Sequence, residues 1–148
     1  GEWRIIHKAT GWGTGFGTRW LGLNVPWGIY GIHGTNKPWS IGSAASHGCF
    51  RMHNKHVEEI FAWVKVGTPI TVEGNIQITH PRLLEKGHSG QDVVLIQQKL
   101  RAEKFLWTPA DGRFGPATER ALILYQLLSG LPATGQIDKV LWQKMLIP

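Results

Sequence analysis

The chain has 148 residues, 42% hydrophobic and 18% charged, which excludes an acidic disordered or low-complexity segment and leaves one or two small domains. Its formal charge of +6 is spread evenly, with seven Lys/Arg against four Asp/Glu in residues 1–80 and nine against six in 81–148. Without a basic run no nucleic-acid partner is expected, and without 18 consecutive apolar residues no integral membrane segment is either.

In chain order, Trp3 to Lys8, Trp20 to Leu23 and Gly28 to His33 read as short strands. Between the first two lies Gly11-Trp12-Gly13-Thr14-Gly15-Phe16-Gly17, which gives no GxGxxG register and is expected to be a Gly/aromatic loop. Asn54 is the expected N-cap of a helix through Val64, because Val57, Ile60, Phe61 and Val64 recur at i, i+3, i+4 and i+7. After Gly67-Thr68-Pro69, Ile70 to Val72 and Ile76 to Ile78 alternate about Gly74-Asn75, the pattern of two strands joined by a turn. Trp12, Trp20, Trp27 and Trp39 are divided between core or pocket wall and a sugar or peptide platform.

The composition changes near residue 80, with Thr79-His80-Pro81-Arg82 as the seam. Ser89 to Asp92 reads as a capping box ahead of a helix whose Val93, Ile96 and Leu100 share a face. A second helix opens at Gly115-Pro116, with Ala117, Ala121, Leu124, Tyr125 and Leu128 as its apolar stripe. Asp138 is the expected cap of a third, which carries Leu141, Trp142 and Met145. The leucines and Trp142 are expected in the core. A faint repeat links Asp111-Gly112-Arg113-Phe114-Gly115 to Thr134-Gly135-Gln136-Ile137-Asp138, each a tight turn feeding a helix start. The expected architecture is α+β in two domains. Residues 1–78 form a mainly-β domain with one main helix, 79–84 a linker, and 85–148 a small all-α three-helix bundle.

The chemistry concentrates between His33 and Arg51. Cys49 is the sole cysteine, so it is core filler or a nucleophile; an ordinary thiol of pKa about 8.5 is only about 3% thiolate at neutral pH and needs a proton acceptor or a positive neighbour. His47 stands at i−2 and His33 ends a strand 16 residues earlier. Gly48 permits positive φ or a close backbone approach to a ligand, amides beside the thiol suit an oxyanion, and Arg51 offers a permanent forked donor. His53 and His56 at i, i+3 lack a neighbouring carboxylate of the HExxH kind, so no metal site is expected.

Ser46-His47-Gly48-Cys49-Phe50-Arg51-Met52, with His33-Gly34-Thr35 before it, resembles the active-site signature of L,D-transpeptidases, enzymes that cross-link bacterial peptidoglycan. The resemblance runs through most of residues 10–73, while Leu84 to Leu100, Asp111 to Thr118, Tyr125-Gln126 and Gly135 to Leu146 resemble a three-helix peptidoglycan-binding domain. It implies Cys49 as nucleophile, His33 as general base and the Gly34 carbonyl as the group orienting that imidazole. Gly48 and His47 would support catalysis, Ser46 and Arg51 would bind substrate, and no cofactor is needed. The implied reaction is a 3→3 cross-link through a thioester, with L,D-carboxypeptidase hydrolysis as side activity and carbapenems as acylating inhibitors. Peptidoglycan stem peptides and glycan are the implied partners, and the implied location is extracytoplasmic and wall-associated, any secretion signal being absent or removed.

The family's catalytic fold normally has further strands ahead of the segment matching Trp3. The expectation is therefore a fragment of a longer protein, or self-association through an incomplete sheet edge. The competing reading is a non-catalytic wall-binding protein with an inactive first domain.

Overall fold

A computed structural model describes residues 1–11, 13–43 and 48–146. The chain divides into two compact units, Trp3–Thr71, and Gly1–Glu2 with Val72–Pro148. The division thus falls earlier than the expected domain end at 78. The α+β architecture stands: a sheet with one helix, then three helices.

The sheet has five strands in the order β4-β3-β2-β1-β5. These are β1 (Glu2–Thr10), β2 (Arg19–Leu23), β3 (Tyr30–His33), β4 (Phe50–Arg51) and β5 (Pro69–Thr71). β2 pairs antiparallel with both β1 and β3, and β3 pairs parallel with β4. A register shift in β1 sets Ile5 opposite Leu23 and His7 opposite Gly22, so one extra residue sends two same-parity side chains to opposite faces. Ile5 is buried with Leu21 and Leu23, whereas His7 is exposed.

Helix α1 (Asn54–Trp63) packs on β2 and β3 and buries Val57. Lys8 Nζ donates to the carbonyls of Phe61 and Val64 at 2.6 and 2.8 Å, placing a cation at the helix C-terminus where the unpaired carbonyls gather. The N-cap is His53, not Asn54 as the sequence suggests, and it makes no side-chain cap bond. The Asn54 side chain is engaged elsewhere. The second strand of the expected 70–78 hairpin does not form either, because Ile78 packs against the helical core.

In the C-terminal unit, α2 (Gln91–Ala102), α3 (Pro116–Leu128) and α4 (Lys139–Leu146) enclose Leu84, Val93, Ile96, Leu100, Leu122 and Trp142. Leu84, assigned by sequence to the linker, is fully buried and bridges to Ile137. The capping box is not made. Gly90 caps α2 at φ +153°, and Asp92 instead receives Arg82, Nε to Oδ2 at 2.6 Å, a hydrogen bond that raises the guanidinium pKa. Asp138 does cap α4, accepting the Leu141 amide at 2.8 Å.

The α3 stripe holds at Ala117, Ala121 and Tyr125, which meet the core, and fails at its two leucines. Leu124 and Leu128 are 47% and 72% exposed, and the buried positions are Thr118, Ala121, Leu122 and Gln126. Two polar residues displace the leucines because each closes a buried network. Gln97 on α2 donates Nε2 to Arg113 O at 2.9 Å and to Thr118 Oγ1 at 3.1 Å, and its Oε1 accepts Gly112 N at 2.8 Å. Gln126 on α3 repeats the device: its Nε2 reaches Gln136 O and Thr134 Oγ1, both at 3.1 Å, and its Oε1 accepts Gly135 N at 2.9 Å. Gly112 and Gly135 sit at φ +78° and +69°, so the faint sequence repeat is a repeated turn, clamped each time by a glutamine from the preceding helix.

Candidate active site

The site grows from the ends of β3 and β4. Parallel pairing aligns Ile32 with Phe50 and His33 with Arg51, and β2 aligns Trp20 with His33. Partners in register share a sheet face, so Trp20, His33 and Arg51 lie on one side, opposite the face of Leu21 and Ile32. The ladder stops at Phe50, so Cys49 and Gly48 precede β4 by one and two residues.

Glycine is required at several of these positions. A Cβ on Gly31 would lie 2.5 Å from the Trp20 ring and 2.7 Å from Leu21 O, and one on Gly22 would lie 3.1 Å from Trp20 Nε1, so the indole lies across a path cleared by two glycines. Trp20 then stacks on the His33 ring, centroids 5.8 Å apart at 22°, and Phe16 meets both rings edge-on. On the other face, Gly48 has φ +127° and a Cβ there would lie 2.1 Å from Tyr30 Cε1. The positive φ expected for that glycine is therefore present, and its close neighbour is the Tyr30 ring. Tyr30 is fixed by Trp27, whose Nε1 donates to its hydroxyl at 2.9 Å.

His33 is only 4% exposed, and its Nδ1 lies 2.5 Å from Gly34 O. A carbonyl can only accept, so Nδ1 carries the proton, and in the neutral imidazole Nε2 keeps its lone pair. The Cys49 Sγ, half-buried, approaches Ile29 O at 4.0 Å. Arg51 Nη2 donates to Ser43 O at 2.8 Å, tying the loop after β3 to β4. Within that loop Trp39 is 79% exposed, while Trp20 is buried in the core. Ser46 and His47, both expected at the site, and Trp12 lie outside the described residues. His53 and His56 meet edge-on at 5.5 Å, and no group of three His, Cys, Asp or Glu side chains suited to a metal occurs among the described residues.

Residues 6–72 match the L,D-transpeptidase catalytic domain family. Residues 89–145 match a second family, described as "Putative peptidoglycan binding domain". The chain thus joins a transpeptidase-family domain to a peptidoglycan-binding-family domain.

Two similar proteins are both from Bacillus subtilis (strain 168). "Putative L,D-transpeptidase YkuD" is 50% identical over 72 residues, covering 49% of this chain and 43% of that protein. "Putative L,D-transpeptidase YqjB" is 39% identical over 79 residues, covering 47% and 45%. The chain therefore spans under half the length of these relatives. Among solved structures, the SleB N-terminal domain aligns with 44% of this chain and 89% of its own, at 32% identity and a TM-score of 0.43.

Sequence reasoning missed three participants in the transpeptidase-family domain: Trp20 as the plate on His33, Tyr30 as the ring under Gly48, and Asn54. For Asn54 a signal was present in the repeated dipeptides Gly17-Thr18 and Gly34-Thr35, whose threonine amides both donate to its Oδ1 at 3.1 Å. Gly13-Thr14 and Gly67-Thr68 repeat the same letters, so the sequence alone does not select the pair.

Proposed function

We propose that this chain acts as a cysteine-dependent L,D-transpeptidase on peptidoglycan, outside the cytoplasm and at the cell wall, with Cys49 as nucleophile and His33 as general base. The observation that supports the reading is the Nδ1 hydrogen bond to Gly34 O, which in the neutral imidazole leaves the Nε2 lone pair of a buried His33 available, at the end of a strand paired with the one that Cys49 precedes. His33 Nε2 takes the thiol proton, and the thiolate attacks the carbonyl after the third residue of a tetrapeptide stem. The amide bond breaks as the terminal D-alanine amine leaves with the proton from the imidazolium, and a thioester remains on Cys49.

The side-chain amine of a neighbouring stem then attacks the thioester. Its proton passes to His33, the thiolate departs, and a 3→3 cross-link results; water in place of the amine gives L,D-carboxypeptidase activity. Amides beside Gly48 hold the oxyanion, and Ser46, His47 and Arg51 line the stem-peptide pocket. The Arg51 bond to Ser43 supports a role in shaping that pocket through its loop. The C-terminal domain holds the polymer.

Mass spectrometry of the protein incubated with a disaccharide tetrapeptide tests the whole scheme: loss of D-alanine with a thioester adduct on Cys49 is expected. Cys49→Ser and His33→Ala should each abolish turnover while leaving sedimentation with purified walls unchanged. Full activity in either variant rejects the assigned roles. A carbapenem should form one covalent adduct, at Cys49.

A further inference from the structure

The carboxamide oxygen of Asn54, the first residue of α1, stands between two loops. It accepts the Thr18 amide and the Thr35 amide, each at 3.1 Å, and the two donors fix that atom as oxygen, not nitrogen. The fit is tight. A Cβ on Gly17 would lie 2.2 Å from Oδ1 and one on Gly34 2.0 Å, so only glycine at both positions admits the amide oxygen. The helix clamps the first loop twice, because Glu58, one turn after Asn54, accepts Thr18 Oγ1 at 2.7 Å.

The Thr35 N–H and the Gly34 C=O belong to one peptide group. Its N–H end donates to Asn54, and its C=O end accepts the His33 Nδ1 proton. A planar peptide cannot turn one end without the other. We propose that Asn54 is a positioning residue for His33: by holding this peptide plane it fixes the imidazole in the Nδ1–H tautomer and keeps Nε2 available. Acceptance at the N–H end also polarises the carbonyl, strengthening its hold on Nδ1–H. Gly34 N, donating to Arg19 O at 3.2 Å, anchors the preceding peptide. The tautomer follows from the geometry alone; its effect on turnover rests on the proposed role of His33 as base.

The test is nitrogen-15 imidazole NMR of the full chain in the parent, Asn54→Ala and Asn54→Asp forms, with turnover of a soluble tetrapeptide alongside. The parent and Asn54→Asp, which still accepts from both amides, should show His33 wholly as the Nδ1–H tautomer. Folded Asn54→Ala should show a mixture, with kcat reduced about ten-fold or more, KM near the parental value, and most activity regained in Asn54→Asp. A folded Asn54→Ala protein with the parental His33 spectrum overturns the proposal.

If Asn54→Ala does not fold, Asn54→Asp decides. Its carboxylate should move the Thr35 amide proton and the His33 Nδ1 proton downfield together, and a shift of the first without the second overturns the coupling. A parent inactive on every stem peptide, with the tautomers as expected, would overturn the transpeptidase reading and leave the Asn54 assignment standing.

Discussion

His33 is held on three sides by chemically different neighbours: the Trp20 face, the Phe16 edge and the Gly34 carbonyl. Such an imidazole neither rotates freely nor exchanges tautomers cheaply, which suits the role of base proposed for it. The glycine path under Trp20 is part of this support. Gly31→Ala should destabilise the transpeptidase-family domain by about 1–3 kcal/mol, since the new methyl meets a ring and a backbone carbonyl that cannot both withdraw. Gly22→Ala, with its closest contact at 3.1 Å, should cost less. Urea denaturation of the two variants checks the order, and equal stability would mean that Trp20 moves aside without penalty.

At the scale of elements, periodicity found the helices and misplaced two leucines on one of them. The α3 sequence offers leucines at 122, 124, 127 and 128, more than one stripe holds, and the spacing does not say which of them meet the partner helices. The two glutamine clamps settle the rotation, because Thr118 and Gln126 must face inward to complete buried hydrogen bonds. Gln97→Ala and Gln126→Ala should each cost about 1–3 kcal/mol by leaving the Gly112 or Gly135 amide without its acceptor. Leu122→Ala should cost about 2–5 kcal/mol, whereas Leu128→Gln should fall within about 0.5 kcal/mol. Chemical denaturation of these four variants separates the observed face from the one that periodicity suggests. A large loss at Leu128 would restore the latter.

For the whole molecule, the proposed function sets a reaction domain and a polymer-binding domain on one chain, at the residues of the two family matches. A tethered binding module raises the effective concentration of the reaction site at an insoluble polymer and adds nothing for a small soluble substrate. A chain ending at residue 80 should therefore lose most of its activity on purified walls while keeping its turnover of a soluble tetrapeptide, measured side by side. Equal loss on both substrates would count against the tether. The evenly spread charge of +6 adds a weak, unspecific attraction to an anionic wall, so wall retention of the intact chain should fall as salt is raised through the range that shortens the Debye length.

The sequence by itself determined the elements and where the candidate chemistry is sought: a single thiol set between His47 and Arg51, a histidine at a strand end with Gly34 after it, and helical periods broken by glycine turns. These are local patterns, and local patterns survive in one dimension. Only the tertiary structure decided which polar atoms meet. Asn54 reads as a helix cap because capping is what an asparagine before an apolar run does locally, yet two amides from distant loops reach its oxygen first. The α3 face, the Trp20 plate over Gly31 and the abandoned strand at 76–78 were likewise set by partners far along the chain, since burial and hydrogen bonding are satisfied in space and leave no fixed interval in the sequence.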